Sequence, residues 1–225
     1  SLVARFRLSI ALTTLVALSA SFAAGAEWRD LFDGKSLQGW FFDVKDYTHP
    51  HEIYSVREGV LHVAGKDRTV AVARTVEEFG DTYDLEVEWR WPDEPGNSGC
   101  LLHCSVSRFM NVWPQSLEVQ LASGNAGDFI HIGESITTTA AQIPTDFSGR
   151  NSWKTRLRHN LTDDSEKPPG EWNHLLVKVR QGEVTVWVNG DKVNHGTEFT
   201  ARGGAICLQA EGANVEYRKV RIREL

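Results

Sequence analysis

The chain has 225 residues, of which 41% are hydrophobic, and its 24 Lys and Arg against 30 Asp and Glu give a formal charge of −6. That length holds one domain with a full core. The acidic balance argues against nucleic acid, whose binding needs a basic face, and against anionic membrane surfaces; nothing in the sequence calls for an obligate protein partner.

The first element in chain order is a leader. Arg5 and Arg7 make a basic head, Leu8 to Leu18 is apolar apart from Ser and Thr, and Ala24-Gly25-Ala26 offers a small-residue cleavage site. The pattern predicts a secretory signal peptide over residues 1–26, then one domain over 27–225 in a secreted or periplasmic protein. The apolar run is too short to span a membrane. Its removal takes away two Arg and no acid, which deepens the formal charge to about −8.

Beyond it, the hydrophobic period is two rather than 3.6. Tyr54–Val56 and Val60–Val63 flank Glu58-Gly59 and read as a hairpin. Leu85, Val87, Trp89 and Trp91 point to a core, while Asp84, Glu86, Glu88 and Arg90 point to water. A Gly-rich turn at Pro95–Gly99 feeds a strand ending in His103, and a second strand carries Glu118 and Gln120. Residues two apart share a strand face. Asn97, Gly99, Leu101 and His103 are therefore expected on one face, with Glu118 and Gln120 on one face of a neighbour. An acid, an amide and an imidazole on one concave surface suggest a small-molecule site, with sugar as the favoured ligand.

The stretch from Ser123 to Pro169 is irregular and is expected to form long loops over one mouth of the fold. Leu175–Val179 and Val184–Val188 form a further hairpin about Gln181-Gly182, Asn189-Gly190 closes a turn of type I′, and strands over 205–210 and 215–225 complete the set. Many short strands at turn-punctuated spacing give an all-β sandwich of two antiparallel sheets.

Three Cys remain. Cys100 and Cys104 lie about 13 Å apart along one strand, too far for a disulfide. Cys207 pairs with one of them only if its strand lies alongside; otherwise all three are buried thiols. No zinc-ligand spacing occurs. Trp89, Trp91 and Trp187 alternate with polar residues and are expected in the core. Trp113 and Trp153 fall in irregular segments, where an indole can stack on a sugar.

Several strings in order give a resemblance: LFDGKSLQGW at 31–40, GNSG at 96–99, LEVQL at 117–121, EKPPGEWN at 166–173, VTVWVNG at 184–190 and GGAICLQAEGANVEYRKVRIREL at 203–225. Together they resemble the 3-keto-disaccharide hydrolase domain family over nearly all of residues 28–225. The resemblance implies a jelly-roll sandwich of the concanavalin A-like lectin and glucanase type. It implies a small carbohydrate substrate whose C3 ketone acidifies the hydrogen on C2. A base removes that hydrogen, the C1 substituent leaves by elimination, and water adds back to complete a net hydrolysis.

Such a site needs a base near C2, donors at the C3 oxygen and an acid near the leaving oxygen. Glu118 is the expected base and His103 the expected acid or metal ligand. Asn97, Gln120, Gln209 and His131 are expected to bind substrate, with Trp113 and Trp153 stacking. Lys167, in a loop stiffened by Pro168 and Pro169, is a candidate to steady the enolate, and Arg218 to hold substrate or to pair with Glu216. The sequence specifies no cofactor, and a divalent cation could polarise the ketone. Two other readings stay open: a non-catalytic lectin-like module, and a retaining glucanase. The second lacks a carboxylate, because Ala122 stands where the E-x-D-x-E pattern needs one.

Overall fold

The computed structural model describes residues 26–225 except 68, 147–151 and 163–164. The expected leader lies outside the described residues apart from Ala26. The strands of the first half are β1 (Arg29–Asp30), β2 (Trp40–Val44), β3 (Tyr54–Arg57), β4 (Val60–Ala64), β5 (Ala71–Thr75), β6 (Thr82–Arg90), β7 (Gly99–Cys104) and β8 (Ser116–Gln120). Those of the second half are β9 (Phe129–Ile132), β10 (Leu157–Arg158), β11 (Asn173–Arg180), β12 (Glu183–Val188), β13 (Asp191–Gly196), β14 (Ala205–Ala210) and β15 (Asn214–Glu224).

They form two antiparallel sheets. The first runs β13-β12-β11-β6-β15-β4-β3, with β1 added on β15; the second runs β10-β9-β8-β7-β14-β5-β2. The order interleaves distant parts of the chain, as jelly rolls do. The predicted hairpins form with left-handed backbone at both turn residues: Glu58 and Gly59 at φ 51° and 78°, Asn189 and Gly190 at 51° and 92°. These are the I′ conformations whose twist matches the strands.

One core lies between the sheets. Leu85, Val87 and Trp89 of β6 meet Leu117 and Val119 of β8, Phe129 of β9, and Ile206 and Leu208 of β14 in one buried cluster. The region expected to be all loop instead contributes β9 and β10, which extend the second sheet beyond β8. Trp187 is another correction. Val186 and Val188 take the core positions, and Trp187 lies on the outer face under the Lys178 ammonium, 5.2 Å from its ring centre.

The acids of β6 do not simply face water. Asp84 and Glu88 are buried beneath basic side chains of the neighbouring strands. Asp84 pairs with Arg180 and Arg223, Glu86 with His174 and Arg221, and Glu88 with Arg218 and Lys219. Trp172 lies against the guanidinium groups of Arg90 and Arg218, at 4.6 and 4.1 Å. Burial pushes these three carboxyl groups up, but their cationic partners outweigh it and hold each below its ordinary pKa.

Cys100, Cys104 and Cys207 are free and buried. Although β14 does lie beside β7, Cys207 is registered with Leu101 rather than with either cysteine, and burial pushes the Cys100 and Cys207 thiols up, away from reactivity.

Candidate functional site

The outer face of the second sheet carries a cavity of about 550 Å³, within the range of small-molecule sites. Alternation builds its floor. On β8, Leu117 and Val119 enter the core while Glu118 and Gln120 enter the cavity. On β9, Phe129 packs inward while Ile130 and Ile132 line the cavity; on β14, Leu208 packs inward and Gln209 lines it. Asn97 enters from the Gly-rich turn, and Trp113 and Trp153 form walls from the connecting segments. The structure thus brings together six expected residues: Asn97, Trp113, Glu118, Gln120, Trp153 and Gln209.

Glycine at 99 makes the floor possible. A Cβ added there would lie 2.5 Å from Glu118 Oε1 and 2.7 Å from Gln209 Oε1. Three buried acceptor atoms of this cavity, Asn97 Oδ1, Glu118 Oε1 and Gln209 Oε1, have no hydrogen-bond partner. Unpaired buried acceptors are costly and rare, so the cavity is built to receive donors. Gln120 is set the other way: its Oε1 accepts the Leu121 and Ala122 amides at 3.1 and 3.2 Å, which leaves its NH₂ as a donor.

Burial, reinforced by the neighbouring Glu211 carboxylate and only partly offset by a hydrogen bond with the Gln209 side chain, pushes the Glu118 pKa up to about 8. Burial also raises Glu211 and Asp128. Asp128 lines the same cavity and is tied in place by the Asn160 amide, 2.6 Å from its Oδ1. Its Oδ2 lies 3.3 Å from His159 Nδ1. The cavity thus holds an Asp–His pair that sequence reasoning missed. Asp128 was legible in principle, since it shares the parity of Ile130 and Ile132, and so was Glu211, two residues after Gln209. His159 carries no periodic signal, because it follows the two-residue β10.

Four expected residues are elsewhere. His103 is the main correction. By alternation it belongs with Gly99 and Leu101 on the cavity side, yet its backbone turns left-handed, at φ 53°, where the β7–β14 register shifts. The parity flips, and Cys104 takes the outer position beside Leu101. His103 is fully buried, stacks on Phe199 at 5.1 Å, meets Tyr83 edge-on at 5.6 Å, and has Nδ1 3.2 Å from the Ala201 carbonyl. Burial pushes its pKa down, so it is a neutral core imidazole.

His131 shares the parity of Phe129 rather than of Ile130, and its Nδ1 lies 2.8 Å from the Glu134 carbonyl oxygen. Lys167 is turned away from the cavity, with Nζ donating to the Trp172 carbonyl at 3.0 Å. Arg218 lies on the opposite sheet, 2.5 Å from Glu88 rather than against Glu216, which instead pairs with Arg90 and His62. Among the described residues no three His, Cys, Asp or Glu side chains are placed to hold a metal ion.

Comparison with solved structures finds the same fold in carbohydrate-associated proteins. A Parabacteroides distasonis protein provisionally named a glycosyl hydrolase aligns at TM-score 0.61 and 23% identity, over 88% of this chain and 94% of that one. The kappa-carrageenase of Pseudoalteromonas carrageenovora aligns at 0.56 and 16%, over 92% and 99%. The Bacillus subtilis carbohydrate-binding module CBM66 aligns at 0.55 and 8%, over 83% and 96%. At these identities the likeness establishes a concanavalin A-like sandwich and nothing finer. A comparison with functionally curated proteins returns no match. The sequence itself reaches further than the fold: residues 27–223 match the 3-keto-alpha-glucoside-1,2-lyase-like domain, and the chain is a member of that family.

Proposed function

We propose that this protein cleaves 3-keto-glucosides by elimination across C1 and C2, with Glu118 as the base. The observation that carries the reading is the trio of unpaired buried acceptors, Asn97 Oδ1, Glu118 Oε1 and Gln209 Oε1, on one cavity. Sugar hydroxyls supply the missing donors. Among the described residues the lining holds Glu118, Asp128 and Glu211 and no Lys or Arg, which suits a neutral sugar.

The ionised Glu118 carboxylate takes the C2 hydrogen as a proton, and the electron pair passes to the C3 oxygen, where the Gln120 NH₂ donates. The pair then returns to form the C1–C2 double bond as the C1–O bond breaks. His159, held at Nδ1 by Asp128, gives the departing oxygen a proton from Nε2. Water added across the double bond gives the 3-keto sugar, so elimination followed by hydration amounts to hydrolysis. The leader expected from the sequence supports a site of action outside the cytoplasm.

The test is turnover of a 3-keto-glucoside with exchange at C2. The parent is expected to release the leaving group and to show a primary isotope effect with C2-deuterated substrate. Glu118→Gln is expected to lose both while still binding the sugar. Binding without turnover by the parent would make the domain a lectin, and turnover of ordinary glucosides without a C2 isotope effect would make it a conventional glycosidase.

A further inference from the structure

A second cavity, of about 470 Å³, adjoins the first and shares Trp153, Leu157 and His159 with it. Its other walls are unlike those of the first. Ala140, Ala141, Ile143 and Pro144 present carbon, and the charged groups Asp146 and Lys154 pair with each other at 3.1 Å. A hexose carries hydroxyls around its whole edge and needs polar partners there; among the described residues this wall adds only Thr145 to the paired Asp146 and Lys154. A flat apolar ring needs only a face of carbon and an indole beside it. Trp153 is 41% exposed and Ile143 40%, so both surfaces are open to a ligand.

The position of this wall is fixed. Gln142 is buried and donates from Nε2 to the His159 carbonyl at 3.0 Å and to Asn194 Oδ1 at 2.5 Å, and the His159 amide donates to the Gln142 carbonyl at 2.8 Å. The Ala140–Gln142 turn and His159 therefore move as one piece. His159, the candidate proton donor, stands where the two cavities meet, which is where the C1–O bond must lie if the keto sugar fills the first.

We propose that the second cavity is the leaving-group subsite, and that it selects a 3-keto-glucoside with an aromatic aglycone over one whose leaving group is a second sugar. The inference rests on the lyase reading for the position of the scissile bond, but not for the binding of the aglycone.

Two experiments separate these. Benzyl and methyl 3-keto-glucosides have leaving groups of nearly equal basicity, so a difference between them reads binding in the subsite. The benzyl compound is expected to have about tenfold higher kcat/KM than the methyl compound and to outrun a 3-keto-disaccharide. Ile143→Asn, at a position 40% exposed, is expected to remove that advantage by raising KM for the benzyl compound more than for the methyl compound. Equal handling of both substrates by the parent, or an equal effect of Ile143→Asn on both, overturns the subsite while leaving the lyase intact.

Saturation-transfer NMR with unoxidised benzyl glucoside needs no turnover. Strong transfer to the aryl protons, lost in Ile143→Asn, supports the subsite even if no 3-keto sugar is cleaved. Transfer to the sugar protons alone, or none, overturns it.

Discussion

Glu118 and Gln209 meet above Gly99, so closely that one methyl group there would lie within 2.7 Å of an oxygen of each. Both atoms are ends of side chains rather than backbone, and Gly99 has no left-handed φ. Gly99→Ala is therefore expected to fold, with a stability loss of about 1 kcal/mol, while displacing the carboxylate. Misplacing a base by about 1 Å costs on the order of 100-fold. Urea denaturation and kcat/KM on one 3-keto substrate check the two halves separately.

The pH dependence follows from Glu118. The base must be ionised, so kcat/KM is expected to rise about tenfold per pH unit on the acid side until Glu118 ionises near 8. A limb centred near the ordinary carboxylate pKa would mean that the base is not a carboxyl group raised by burial.

The same shift has a stability consequence. A carboxyl group whose folded pKa is raised favours folding while protonated. That advantage is complete below the unfolded pKa and is lost as pH rises through about 8. Glu118→Gln removes the buried charge. Its Tm is expected to exceed the parent's at pH 9, by about 2–4 °C for each kcal/mol gained at this chain length, and to match it near pH 4, while kcat/KM falls about 10²–10⁴-fold. Calorimetry at the two pH values checks the sign.

His103 is the control. Because it packs between Phe199 and Tyr83, His103→Ala is expected to destabilise by about 2–3 kcal/mol and to leave kcat/KM of the folded protein within about twofold, against the 10²–10⁴-fold loss of removing an acid. Chemical denaturation paired with active-site-normalised kinetics gives the answer.

Glu88 tests the far sheet. It binds Arg218 and Lys219, both nearly half exposed, and screening limits what such pairs contribute. Glu88→Gln is expected to lower stability by about 1 kcal/mol, to lose that effect in high salt, and to leave activity untouched.

Period-two alternation carried most of the architecture. It placed the hairpins, the inward row of β6 and the pairing of Glu118 with Gln120 on one face, because a half-buried strand must repeat every second residue. It failed where the backbone breaks the repeat. The left-handed turn at His103 reverses parity within a strand, and nothing in the string GCLLHC announces it. Alternation was also silent on sign: the row Asp84, Glu86, Glu88 looks solvent-facing until the basic row of β15 is laid beside it. His159 was invisible for a different reason, since its place depends on a buried Gln142 and on Asp128, residues distant in sequence whose contact only the fold creates.

The cavity floor and the layer interface are written on opposite sides of the same strands, in odd and even positions. Substrate range can therefore drift by replacing Gln120, Ile130 or Gln209 while Val119, Phe129 and Leu208 keep the two layers joined. A scaffold with that separation can be retooled by evolution or by the bench one alternate position at a time, without first being made more robust.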